Sequence, residues 1–202
     1  MFDTHLRPLI DPPLNWVGRL LARTGVSANA VTLGGFALGL LALPALAHQA
    51  YTLALGLILL NRLSDGLDGA LARNGAGATD FGGYLDIVTD MIFYGSVAFG
   101  FALAEPARNS VPAAFLLFGF MGASSSFLAF MAVAEKRQWK TQAQGAKSIY
   151  YLAGLMEGGE TIGFFVLMCL FPGAFAVLAW IFGALCLVTA GARLVVVRQR
   201  LG

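Results

Sequence analysis

Six apolar runs, each long enough to cross a bilayer, dictate what this chain can become. They cover residues 30–47, 51–71, 81–104, 112–134, 149–171 and 174–197. A hydrocarbon core about 30 Å thick takes about 20 residues of α-helix to span. No water inside it can satisfy backbone N–H and C=O groups, so such runs fold as helices that satisfy their own. The balance of residues agrees, with 58% hydrophobic and only 12% charged, where a soluble domain carries about 25% charged. The 25 glycines suit helices that approach closely in lipid. We therefore expect an all-α integral membrane protein forming a single domain over 1–202, with a six-helix bundle at 30–197 behind a lead-in segment at 1–29.

The lead-in segment has its own pattern. Asp3, Arg7, Asp11 and Pro12-Pro13 stand where the apolar core of a cleavable signal peptide would lie, so none is expected. Pro12-Pro13 can start a helix but not continue one. After them Leu14, Val17 and Leu21 share a face, with Trp16 and Leu20 beside it and Asn15, Arg19 and Arg23 opposite. That reads as an amphipathic helix in the membrane interface, basic side toward headgroups. Ser27 or Asn29 is the next N-cap.

Basic residues set the orientation. Arg7, Arg19 and Arg23 precede the first span, and Arg73 follows the second. Lys136, Arg137, Lys140 and Lys147 lie between the fourth and fifth, and Arg198 and Arg200 follow the sixth. Only Arg108 falls in a loop on the other side. Positive charge is retained inside, so both termini should face the cytoplasm. The net charge of +2 is too small to argue for a nucleic-acid partner. Cys169 and Cys186 lie in apolar runs and read as buried small hydrophobes, and the isolated His5 and His48 read as non-catalytic.

Against this background four aspartates are out of place. Asp65, Asp68, Asp86 and Asp90 sit at the ends of the second and third spans. A carboxylate at the bilayer centre costs roughly 2.5–3.5 kcal/mol on insertion scales. Asp65 and Asp68 share one helix face, which Gly69 and Ala72 continue; Gly82, Asp86 and Asp90 recur every four residues on the next helix. If the two helices are antiparallel neighbours, four carboxylates surround one small volume at the cytoplasmic end. Four aspartates with Arg73 sum to about −3, and like charges so close oppose one another's ionisation. Two divalent cations bring the sum to about +1, which a substrate pyrophosphate nearly neutralises. Oxygen-only ligands suit Mg²⁺ or Mn²⁺, and a two-metal site suits displacement at phosphorus.

These residues carry a resemblance. Asp65, Asp68, Gly69, Ala72, Arg73, Gly82, Asp86 and Asp90 match the pattern D-x2-D-G-x2-A-R-x8-G-x3-D-x3-D at every fixed position, and the chain thereby resembles the CDP-alcohol phosphotransferase (CDP-alcohol phosphatidyltransferase) family. The resemblance implies an enzyme of phospholipid synthesis that transfers a phosphatidyl group from CDP-diacylglycerol to an acceptor alcohol and releases CMP. It implies that Asp65, Asp68, Asp86 and Asp90 hold two divalent ions, that Asp90 is also the general base, and that Gly69 and Arg73 meet the cytidine nucleotide, with room beside Ala72. Gly82 would let the chain pass close to the site. The segment from Val26 to Thr32 also resembles the family's first-helix start, with Ala28 where Pro is commoner, which would place Asn29 and Thr32 at the nucleotide. A homodimer is implied by the resemblance alone.

The acceptor is less legible. Glu157 and Glu160 interrupt the fifth span and Lys147 opens it. Ionisable residues within a span are functional candidates, although the two glutamates could instead pair with Arg62 or Arg193, and Lys147 could simply anchor a helix at the headgroups. Basic residues would suit a phosphorylated acceptor, and the glutamates a cationic one. Alternatives to the main reading are transfer from a soluble CDP-alcohol such as CDP-choline to diacylglycerol, a Mg²⁺-dependent membrane prenyltransferase, and a divalent-cation transporter. A prenyltransferase would bring a second such motif and more spans, and a transporter would not need Gly69, Ala72 and Arg73 at their spacing.

Overall fold

In the computed structural model the described residues are 3–75, 77–138 and 158–201, with side chains from residue 12 onward. Helices account for nearly all of them, with no strand among them. In order they are α1 (Asp3–Ala22), α2 (Ala28–Leu40), α3 (Ala42–Ala47), α4 (Tyr51–Asn74), α5 (Asp80–Ala104), α6 (Pro106–Lys136), α7 (Gly158–Leu170) and α8 (Phe175–Leu201), with a 3-10 turn at Pro172–Ala174 before α8.

Among the described residues four stretches are long and apolar enough to cross a membrane: Ala28–Ala47, Asp80–Ala104, Pro106–Lys136 and Pro172–Leu201. The stretch expected as the second span, α4, is 24 residues long but carries Arg62, Asp65, Asp68 and Arg73 from its middle onward. Of the expected fifth span, 149–171, only residues 158–171 lie among the described residues, and Gly158–Leu170 of these is helical.

Two expectations need adjustment. The first span is a broken helix: α2 ends at Leu40, because Pro44 has no N–H to offer the Leu40 carbonyl. Leu41 stays helical in its backbone (φ −66°, ψ −16°), so α3 follows as a kinked continuation. The first helix begins at Asp3 and runs through Pro12 and Pro13. Both prolines are exposed.

Packing turns on small residues at the crossings. α2 lies on α4 and α5, α1 on α4, and α6 on α8. A Cβ on Gly35 would come within 2.3 Å of Ser64 Cβ, and one on Gly39 within 2.8 Å of Asn61 Nδ2. These two glycines let α2 press against α4 along the stretch that leads into the aspartates. Gly119 and Gly183 do the same for α6 and α8, where an added Cβ on Gly119 would sit 2.7 Å from the Gly183 carbonyl oxygen.

The core is aromatic. Phe93, Phe101, Phe165, Phe175 and Phe182 are fully buried. Phe101 stacks on Phe175 at 4.5 Å, Phe164 on Phe182 at 4.5 Å, and Phe165 meets Phe93 edge-on at 6.3 Å. Phe93 thus ties α5 to α7 one turn beyond Asp90. Large apolar side chains also point outward, among them Leu53, Ile92, Phe118, Met121 and Leu194, as expected where lipid is the surrounding solvent. At the end of the bundle away from the aspartates the turns are tied together. Gln49 Nε2 donates to the Ala104 carbonyl at 3.0 Å, and Arg108 Nη2 donates to the Gly173 carbonyl.

Candidate active site

The site is assembled where α4 ends and α5 begins. Two side-chain caps frame it. Ser27 Oγ accepts from the Ala30 N–H at 3.2 Å and starts α2. Thr79 Oγ1 accepts from the Gly82 N–H at 3.0 Å and starts α5. Ser27 is one of the two caps expected from the sequence.

Between these caps α4 and α5 bring their acidic stripes together. Oxygen atoms of Asp65, Asp68 and Asp86 lie within 4.8 Å of one another. Asp68 is buried and Asp86 exposed, so the cluster runs from the bundle interior to an open mouth. Thr32 on α2 donates through Oγ1 to Asp68 Oδ2 at 2.5 Å, which orients that carboxylate from a third helix.

The mouth opens into a cleft of about 490 Å³. Asn29, Thr32, Asp68, Gly69, Ala72, Gly82 and Asp86 line it. A Cβ on Gly82 would lie 3.2 Å from Asn29 Oδ1, so Gly82 permits the approach of α2 and α5 at this wall. Arg73 is exposed and folds back along its own helix, and a Cβ on Gly69 would be 3.2 Å from Arg73 Nη1.

Asp90 lies one turn deeper on α5, on a small polar cavity it shares with Thr32, Asn61, Arg62, Asp65 and Asp68. Arg62 Nη2 donates to Asp90 Oδ1, and Arg62 Nη1 to Asp90 Oδ2 at 3.4 Å. Arg62 Nη1 is also 3.5 Å from Asp65 Oδ2. Tyr94 donates its hydroxyl to Asp90 Oδ2 at 3.1 Å.

The charge count therefore changes its cation. Arg62, and not Arg73, is the guanidinium that stands among the carboxylates, and the sum remains about −3 for four aspartates and one arginine. Arg62, Asn61 and Tyr94 were not recognised from the sequence as part of the site. One signal was present: Arg62 precedes Asp65 by three residues, which puts both on one helix face.

The expected acceptor residues are placed unevenly. Lys147 and Glu157 lie outside the described residues. Glu160 is in the first turn of α7, partly buried, and does not line the cleft. Arg62 is turned toward Asp90 and Asp65, and Arg193 donates to the Ala123 carbonyl at 2.9 Å and to Ser126 Oγ at 3.2 Å.

Three oxygen-bearing side chains converging at the edge of an open cleft suit a hard divalent cation with a phosphate-bearing ligand beside it. Comparison with known proteins points the same way. The family model of CDP-alcohol phosphatidyltransferases matches residues 25–197. The chain is 54% identical over 193 residues to the inner membrane protein YnjF of Escherichia coli, covering 96% of this chain and 93% of that one. It is 30% identical over 184 residues to the archaetidylinositol phosphate synthase of Pyrococcus horikoshii, covering 88% and 90%. The phosphatidylinositol phosphate synthase of Mycobacterium tuberculosis with CDP-DAG bound has the same fold, with a TM-score of 0.69 at 24% identity over 90% of this chain and 91% of that one. The same enzyme in complex with manganese and citrate gives 0.68 at 23%, covering 90% and 87%.

Proposed function

The chain belongs to the CDP-alcohol phosphatidyltransferase family, and from that premise we propose that it transfers a phosphatidyl group from CDP-diacylglycerol to an acceptor alcohol. The observation that carries this reading is the convergence of Asp65, Asp68 and Asp86 within 4.8 Å at the rim of a cleft lined by Gly69, Ala72 and Gly82. The donor set fits a hard divalent ion, since every ligand is a carboxylate oxygen and the cluster carries unbalanced negative charge. Asp65, Asp68 and Asp86 would hold Mg²⁺ or Mn²⁺, which leaves Asp90 for the acceptor's proton. When bound, the ions supply charge stabilisation to the pyrophosphate and to the departing CMP.

The remaining work falls to the chain. Gly69 and Ala72 keep the cleft wide enough for the cytidine nucleotide, with Asn29 and Thr32 at its other wall. Arg73, exposed beside Gly69, offers a fork of N–H donors to phosphate. Asp90 accepts the acceptor's hydroxyl proton as its oxygen bonds to the phosphatidyl phosphorus. The P–O bond to CMP breaks, and CMP leaves with that electron pair. Holding both substrates in one cleft at the headgroup level, with lateral access for the lipid, supplies much of the remaining acceleration.

We place the enzyme in the bacterial inner membrane as a six-span homodimer with site and termini toward the cytoplasm. α1 lies at the interface, supported by the exposure of Trp16 and Leu20 and by its packing on α4, where a Cβ added to Gly18 would lie 3.0 Å from Ala70 Cβ. Inositol phosphate is the first acceptor to try, given the archaeal relative's name.

The test is CMP release by purified protein from labelled CDP-diacylglycerol across a panel of acceptors: inositol phosphate, glycerol phosphate, serine and choline. Release should require Mg²⁺ or Mn²⁺ and one class of acceptor. Asp90→Asn should abolish turnover and still bind CDP-alcohol. Release from CDP-choline with diacylglycerol, and none from CDP-diacylglycerol, would reverse the direction of transfer.

A further inference from the structure

Arg62 is held in place before it meets Asp90. Its side chain is only 15% exposed. Nε and Nη2 donate to Asn61 Oδ1 at 3.1 and 3.0 Å. Asn61 is buried, and its own amide donates to the Gly35 carbonyl on α2 at 3.1 Å. The guanidinium carbon lies 5.5 Å from the centre of the Phe93 ring and 5.6 Å from that of Tyr94. A planar cation fixed by a side-chain amide and two ring faces has little freedom left.

This fixed cation then meets both oxygens of Asp90. A carboxylate offers about four acceptor positions, two on each oxygen. On Oδ2 both are taken, one by Arg62 Nη1 and one by the Tyr94 hydroxyl. On Oδ1 Arg62 Nη2 takes one. Among the described residues no donor takes the second position on Oδ1, and Asp90 lines a cavity together with Asp65 and Asp68.

We infer that Arg62, with Tyr94, is a positioning residue that orients Asp90 so that Oδ1 receives the acceptor's proton. Arg62 also spans the gap to Asp65, so the distance between proton acceptor and carboxylate cluster is set by α4 itself. A lysine would keep the charge but lose the fork that fixes the carboxylate plane. The inference rests on the reading of Asp90 as the proton acceptor.

The test compares Arg62→Lys, Arg62→Gln and Tyr94→Phe with the wild-type enzyme. It uses steady-state CMP release together with Mn²⁺ binding followed by electron paramagnetic resonance. Arg62→Gln should lower kcat by about 100-fold and Arg62→Lys by about tenfold, with KM for CDP-diacylglycerol within about twofold of wild type. Mn²⁺ binding should move the other way: unchanged in Arg62→Lys, and equal or tighter in Arg62→Gln, because a cation beside Asp65 has gone. Collapse of the site cannot produce that split. Tyr94→Phe should lower kcat about fivefold, and it decides the matter if the Arg62 variants do not fold.

Wild-type kcat in all folded variants overturns the inference, as does a joint loss of turnover and Mn²⁺ binding in Arg62→Gln. Failure of the underlying reading looks different: wild-type protein without metal-dependent CMP release, or an active Asp90→Asn.

Discussion

One hydroxyl joins the first membrane helix to the chemistry. Thr32 Oγ1 donates to Asp68 Oδ2 at 2.5 Å while also reaching the Ala28 carbonyl at 3.1 Å. It holds Asp68 in a single orientation from outside the carboxylate cluster. Groups of this kind typically account for 10–100-fold in metal affinity when removed. Thr32→Val, which keeps the shape, should therefore weaken Mn²⁺ binding by about tenfold and leave the melting temperature nearly unchanged. Unaltered Mn²⁺ affinity would show that Asp68 is oriented by its own helix. At this scale the aspartates were legible because their spacing matches the helical repeat: i,i+3 on α4 and i,i+4 on α5. Arg62 was not. A single arginine in an apolar run has no partner fixed by spacing beyond its own helix, and its pairing with Asp90 exists only once α4 and α5 have docked.

The docking of α2 against α4 is the element on which that geometry depends. Gly35 faces Ser64, and Gly39 faces Asn61, so the same close approach places Thr32 against Asp68 and the Gly35 carbonyl against Asn61. Gly35→Leu would drive a side chain into α4 and force the helices apart. Overpacking of this sort costs about 1–3 kcal/mol. The variant should melt earlier in detergent and lose Mn²⁺ affinity together with activity, and retention of all three would mean that α2 has room to move. Abundant glycine hinted at close packing, but which glycines face which partners depends on tertiary contacts. The kink at Leu41 follows from Pro44, whereas the passage of α1 through Pro12 and Pro13 runs against local preference.

Across the whole molecule the site lies at one end and the tied turns at the other. From Asp90 to Ala104 is 14 residues of α5, roughly 21 Å at 1.5 Å per residue. The hydrogen bonds from Gln49 to Ala104 and from Arg108 to Gly173 close the far end. We predict that the near end is cytoplasmic, because Arg73, Lys136, Arg137, Arg198 and Arg200 lie toward it. In a background with Cys169 and Cys186, both buried, replaced by alanine, Ala107→Cys should react with an impermeant maleimide in intact cells. Arg200→Cys should react only after lysis. The opposite pattern would invert the protein. The apolar runs made the helical membrane class plain, while the charges on α4 keep it out of the stretches apolar enough to cross a membrane.

The claim on which all of this depends is that two helices gather carboxylates to hold a divalent ion beside a nucleotide-activated lipid. Crystals grown with Mn²⁺ and CDP-diacylglycerol, measured for manganese anomalous scattering, test it most directly. A peak should appear bounded by oxygens of Asp65, Asp68 and Asp86, with the cytidine in the cleft over Gly69 and Ala72. Lipid nucleotide bound in that cleft with no manganese among the three aspartates would contradict it.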